Sequence, residues 1–219
     1  MKVIIGIMFF SAVVLASCSS PKGDKVNAGD AVDLADKDTT AIVYTVVADK
    51  SSIAWVGSKP LGQHNGTIAI KSGEIDVKDG VITGGAIVID MKTIKDLDLA
   101  DKAANEKLTG HLMSPDFFDV EKYPEAKFEI QKIENVNYKD VSHLITGNLT
   151  LKDVTKSITF KVNIKFAEDK MIASAPSFII DRTDWNIIYG SKKFVDNLKD
   201  KFINDEIILE IKTLVAVKQ

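Results

Sequence analysis

From Ser157 to Phe166 the chain alternates strictly, with Ile158, Phe160, Val162, Ile164 and Phe166 at the even positions and polar residues at the odd ones. Side chains that change face at every residue mark a β-strand with one wet and one buried side. Weaker alternation recurs at Ile42/Tyr44/Val46, Ile68/Ile70, Ile75/Val77, Phe128/Ile130, Leu149/Leu151 and Ile207/Leu209/Ile211. Short polar connections separate these runs. The pattern therefore predicts an all-β domain whose antiparallel sheet turns one side toward an interior.

Glycines and prolines sharpen this reading. Asp79-Gly80, set between the apolar-patterned runs that end at Lys78 and begin at Val81, predicts a two-residue hairpin of type I′, whose central residues both need positive φ. Across Ser72-Gly73 the apolar phase moves from even residues (Ile68, Ile70) to odd ones (Ile75, Val77), which predicts a bulge or bend in one long strand. Gly84-Gly85 predicts a second bend on the partner strand. Paired bends are what a sheet needs to curl into a barrel. One stretch resists the strand pattern: Leu99 to Ser114 carries good helix formers, an Ala104/Leu108/Leu112 stripe and a stop at Pro115, so a short helix is expected there. A second helical turn is expected around Phe194 to Phe202. Neither supports an α/β layout, which needs helices alternating regularly with strands.

The first residues follow another logic. Lys2 precedes an uncharged apolar run, Val3 to Ser17, which ends in Leu15-Ala16-Ser17-Cys18 at the chain's only cysteine. The run is too short to span a bilayer, and the small residues before Cys18 read as the cleavage site of a lipoprotein signal over residues 1–17. The alternative is an ordinary secretory signal with an incidental cysteine. In the lipoprotein reading Cys18 carries a diacylglycerol thioether and the new amino terminus a further acyl chain, which together give stable membrane anchoring. Residues 18–41 are rich in Ser, Pro, Gly, Asn and charge, too polar to offset their ordering entropy by burial, and are expected to be a flexible linker. The barrel domain then runs from 42 to 219. The expected place is the cell envelope, anchored to a membrane and facing the periplasm, with the membrane and leaflet open.

Without residues 1–17 the chain keeps 27 basic and 31 acidic residues, a net charge of −4, which offers nucleic acid no attraction. The three histidines, His64, His111 and His143, stand far apart with no second histidine or cysteine at ligand spacing, so no metal site is expected. No nucleophile elbow, phosphate loop or dinucleotide fingerprint occurs, so no catalytic residue and no cofactor is assigned. Asp181, Arg182 and Asp184 cluster beside Trp185; they suit either a polar constellation at a barrel mouth or a structural ion pair at a strand end.

Longer motifs give a family. Ser114-Pro115-Asp116-Phe117-Phe118-Asp119-Val120-Glu121-Lys122-Tyr123-Pro124 resembles the S-P-x-F-F-D-x-x-x-Y-P signature of the YceI-like family. Gly147 to Lys156 resembles its G-x-L-T-L-x-x-V-T-K strand pair, Arg182-Thr183-Asp184-Trp185 its late R-x-D-W/F element and, less closely, Asp49 to Trp55 its opening. The resemblance runs from about Tyr44 to Ala216. It implies an exported, lipocalin-like antiparallel barrel that binds a polyisoprenoid or similar amphiphile inside and has no general enzymatic activity. The chain departs from the family in three places. Lys152-Asp153 replaces a frequent His-Gly, Gly57-Ser58 stands where many members place a histidine, and Asn186 stands where glycine often follows the third motif.

A tail without hydrogen-bonding groups is held only by apolar burial, at about 25 cal/mol per Å². For the lining we select Trp55, Phe117, Phe118, Phe128, Leu149, Leu151, Phe160 and Phe178, with Arg182, Asp184 and Tyr189 at the rim. Each of the lining residues is equally at home in a packed core. Two other functions stay open: an envelope hydrolase or isomerase using Asp184 with His111 or His143, and a solid-cored structural or interaction module. The oligomeric state is open as well, a homodimer included.

Overall fold

The computed structural model describes residues 23–34, 36–138 and 140–219. The signal expected over 1–17 and the lipidation site at Cys18 lie outside the described residues.

Strands β1 (Asp24–Lys25), β2 (Gly29–Asp30), β3 (Ile42–Val46), β4 (Ser52–Lys59), β5 (Gly62–Lys78), β6 (Val81–Asp96), β7 (Glu125–Tyr138), β8 (Val141–Leu151), β9 (Val154–Ala167), β10 (Lys170–Asp181) and β11 (Glu206–Lys218) form one sheet, with one α-helix among the described residues, α1 (Lys102–Met113). From β5 to β11 each strand pairs antiparallel with the next, and β11 closes the ring on β3 and β4. β3 and β4 act as one interrupted strand: both pair with β5, Ile42↔Val77 through Thr45↔Glu74 for β3 and Ser52↔Ala69 through Lys59↔Gly62 for β4. The result is a closed eight-stranded barrel.

The bends that close it fall at the expected glycines. The β5–β6 register shifts between Ile70 and Ser72, and again between Asp76 and Val77 opposite Gly84. A side chain at Gly73 would meet Val46 and Ile87 at 2.8 Å, so the close approach there needs glycine. Asp79 and Gly80 have φ of 50° and 77°, the type I′ turn. The alternation of β9 holds where it matters: Ile158, Phe160 and Val162 are buried, while Phe166, at the strand's end, is exposed and meets the Tyr44 ring edge-on at 5.9 Å.

The two ends of the barrel differ. At one end the strands join through tight turns, among them 79–80 and 168–169; at the other, beside the short joins at 60–61 and 152–153, lie two long connections, 97–124 and 182–205. Long connections over a rigid scaffold are where binding residues gather. The first carries α1, capped at its N-terminus by the Asp101 carboxylate, which accepts the Ala104 N–H at 2.8 Å, and ended at Ser114 before Pro115. Asp101→Ala is expected to lower the urea-unfolding free energy by about 1 kcal/mol, the usual worth of such a cap. The turn expected near Phe194 to Phe202 is a 3-10 turn at Lys199–Lys201.

The linker reading of 18–41 is corrected over part of its length. β9 and β10 pair only from Lys170↔Ala167 to Ser174↔Asn163 and then part, leaving two unpaired edges. The segment from Asp24 to Val32 fills this seam. β1 lies parallel on β10 and β2 antiparallel on β9, Val26 is buried with its N–H on the Ile179 carbonyl at 2.8 Å, and the Asn148 side chain holds the Val32 backbone at both N–H and C=O. Few apolar side chains are needed because the backbone groups of two open edges reward the docking.

Candidate ligand-binding site

The lumen is not filled. At the end carrying the long connections lies a cavity of about 360 Å³, lined by inward residues of every barrel strand from β4 to β11 together with residues of α1 and both connections. That volume is within the usual range of small-molecule pockets, roughly 300–1,000 Å³. A second cavity of about 60 Å³ lies toward the tight-turn end. Ile87, Phe128, Phe160, Ile211 and Leu214 border both, so they form the partition between them. Phe160 stacks on Phe178 at 4.5 Å and packs tilted on Phe128 at 5.4 Å.

Glycine makes this aromatic lining possible. Phe128 lies over Gly147, where a Cβ would come within 2.7 Å of its ring, and Trp55 lies over Gly66, where a Cβ would come within 2.6 Å of the indole. The Trp55 Nε1 is buried without a hydrogen-bond partner, the one polar handle that the aromatic wall leaves unused among the described residues.

The two long connections meet above the cavity. The ring of His111, on α1, packs edge-on against Phe117 at 5.1 Å and Tyr189 at 4.7 Å, and Phe117 meets Tyr189 at 5.5 Å. Arg182 lies 5.7 Å from the Phe117 ring and ties the start of the second connection to its end. Its Nε donates to the Asn204 carbonyl at 3.2 Å, its Nη1 to the Ile187 carbonyl, and its Nη2 to the Ile203 carbonyl and to Asp205. Burial lowers its pKa from the ordinary guanidinium value, against the opposing pull of Asp205 and Asp181. Trp185 is fully buried and donates its indole N–H to the Leu149 carbonyl at 2.9 Å. Asn186 has φ of 58°, a left-handed conformation that glycine supplies freely and that asparagine tolerates.

Of the residues selected from sequence, Trp55, Phe117, Phe118, Phe128, Leu149, Leu151, Phe160, Phe178 and Arg182 all line the cavity. Tyr189, selected for the rim, is exposed and packs over His111 and Phe117 outside the lumen. Asp184 is exposed and does not line the cavity, because the 3-10 turn at Arg182–Trp185 buries Arg182, Thr183 and Trp185 and leaves Asp184 outward. Asp184, His111 and His143 are not assembled as a catalytic group: His111 lines the mouth, His143 sits in the first turn-proximal residues of β8 at the other end, bonded to Ser142, and Asp184 faces solvent. The missed lining residues are mostly aliphatic, among them Ile53, Ile68, Ile89, Leu112, Ile207, Leu209 and Ile211. The alternation that marks Ile207/Leu209/Ile211 was the available signal.

A family described as the YceI-like domain matches residues 44–215. A UPF0312 protein of Pseudomonas putida strain W619 is 49% identical over 51 residues, 23% of this chain and 26% of that protein. A UPF0312 protein of Photorhabdus laumondii is 41% identical over 54 residues, 25% and 27% of the two chains. These matches span about a quarter of the relatives' length. Among solved structures, BcnA of Burkholderia cenocepacia superposes with a TM-score of 0.56 at 22% identity, over 76% of this chain and 96% of that one. A polyisoprenoid binding domain from Saccharophagus degradans, implicated in plant cell wall breakdown, superposes with a TM-score of 0.57 at 13% identity, over 80% and 98%. Both share the fold, and with the match spanning nearly the whole barrel, this chain belongs to the YceI-like domain family.

Proposed function

We propose that this protein is a lipid-anchored carrier or store that binds a polyisoprenoid or another long amphiphile inside its barrel, and that it acts by binding rather than catalysis. The observation that carries this reading is the apolar cavity of about 360 Å³ at the mouth end of the lumen. A hydrocarbon tail gains there by leaving water, and an apolar wall asks nothing of it in hydrogen bonds. The fold shared with a polyisoprenoid binding domain supports the same ligand class.

Acylation at Cys18 follows from the tetrad Leu15-Ala16-Ser17-Cys18 and places the barrel at a membrane of the cell envelope, facing the periplasm. The docked β1 makes the tether short. Five residues, six Cα steps, separate Cys18 from Asp24, a reach of at most about 20 Å fully extended, so the barrel stays at the bilayer that supplies its ligand.

Native mass spectrometry of protein purified gently from its own host tests the ligand. The expected spectrum carries a lipid mass that organic extraction removes and that added polyisoprenoid restores. Protein that holds no lipid and takes up none overturns the proposal.

A further inference from the structure

Three polar side chains meet at the barrel mouth, beside the apolar cavity. His64 of β5, Asp96 at the end of β6 and Asp98 just beyond it are brought together because Gly66 pairs with Asp96 in the β5–β6 ladder. One ligating atom from each residue lies within 4.8 Å of those of the other two.

Each carboxylate is fixed by one oxygen; the other oxygen of Asp98 shares a hydrogen bond with His64 Nδ1, and that of Asp96 points into the cluster. Asp98 Oδ1 accepts the Asn65 N–H at 2.7 Å. Asp96 Oδ1 accepts the Leu99 N–H at 2.8 Å and the Asn105 Nδ2 at 3.0 Å. The two Oδ2 atoms face His64, at 3.0 Å from Asp98 and 4.0 Å from Asp96. Asp96 is the decisive member: its side chain is 0% exposed and its Oδ2 has no hydrogen-bond partner among the described residues. A buried carboxylate oxygen left without a donor is costly, and native proteins rarely leave one so. His64 and Asp98, by contrast, are 27% and 30% exposed, so the cluster is open to solvent on one side.

We propose that His64, Asp96 and Asp98 bind one divalent transition-metal cation, with Zn²⁺ as its representative. Ligands about 2.1 Å from a tetrahedral zinc stand about 3.4 Å apart, and the two distances from His64 bracket that value. The imidazole nitrogen selects zinc and its neighbours over magnesium and calcium, which prefer all-oxygen shells. Three protein ligands leave a coordination position open. His64 also lines the cavity mouth, so that position lies beside the entrance. Asn105 is a positioning residue: its amide holds Asp96 Oδ1 and the Asp96 and Leu99 carbonyls.

The test is calorimetric titration of the chelator-treated, lipid-free full chain with ZnCl₂, with MgCl₂ in parallel. One equivalent of Zn²⁺ is expected to bind and to raise the melting temperature, and Mg²⁺ is not. His64→Ala and Asp98→Asn, both at partly exposed positions, are each expected to weaken that binding at least about tenfold while melting like the wild type without metal, and Asn105→Ala to weaken it about 10- to 100-fold. Absence of saturable Zn²⁺ binding overturns the proposal, as does Zn²⁺ binding that is unchanged in both His64→Ala and Asp98→Asn.

Discussion

Leu209→Trp is expected to empty the barrel of lipid while leaving it folded. Leu209 pairs with Phe178 on β10 and Trp55 on β4, and all three line the cavity. It is only partly buried, and the surface it leaves uncovered faces the lumen. A larger side chain therefore enters space that is free. The overpacking penalty of about 1–3 kcal/mol in a filled core does not arise. The ligand, however, loses that space. Denying it about 100 Å² of apolar contact removes roughly 2.5 kcal/mol at 25 cal/mol per Å², close to two powers of ten in affinity. Lipid recovered per protein by mass spectrometry, and uptake of added polyisoprenoid, should fall at least about tenfold, with the melting temperature within a few degrees of wild type. Leu209→Ala, which widens the cavity, should keep its lipid. An unchanged lipid load in Leu209→Trp would place the ligand elsewhere.

How much of this was legible before coordinates depended on the range of the forces involved. The Asp79-Gly80 turn, the bend at Gly73 and the helix stopped by Pro115 were readable because each is set by sterics within a few residues. The lining was readable in outline, since inward phase follows from alternation. Alternation does not tell a packed wall from an open one: Met171 and Leu209 obey the same pattern, yet Met171 is almost wholly buried near the tight-turn end and Leu209 faces the void. Three features escaped because their causes are long-range. The docking of Asp24 to Val32 needs the parting of β9 from β10, more than a hundred residues away. The outward turn of Asp184 depends on a 3-10 turn closed by a left-handed Asn186. The meeting of His64 with Asp96 and Asp98 is a matter of strand register, and no spacing rule for a single helix or loop anticipates it.

Arg182→Ala is expected to be the most destabilising single change at the mouth. Arg182 is 2% exposed, yet it belongs to the barrel's frame more than to a headgroup site, because its guanidinium already serves the Asn204, Ile187 and Ile203 carbonyls and the Asp205 carboxylate, the last at 3.1 Å. Truncation leaves three carbonyls without their donor and Asp205 without its buried counter-charge, with only the half-exposed Lys193 ammonium 3.9 Å away. Breaking a buried pair on one side costs about 3–5 kcal/mol, or roughly 10 °C for a domain of this size. The loss should be local first, since every partner of the guanidinium lies within the 182–205 connection, which it holds start to end. Faster proteolysis within that connection should precede global unfolding. Arg182→Lys restores the charge without the planar fork, so it should recover only part of the loss. Arg182→Met combined with Asp205→Asn removes both charges and should melt above Arg182→Ala, because an isolated buried carboxylate costs more than no charge at all. An Arg182→Ala protein that melts within about 2 °C of wild type would show that the connection is held by its apolar contacts, Ile187 and Ile203 first among them.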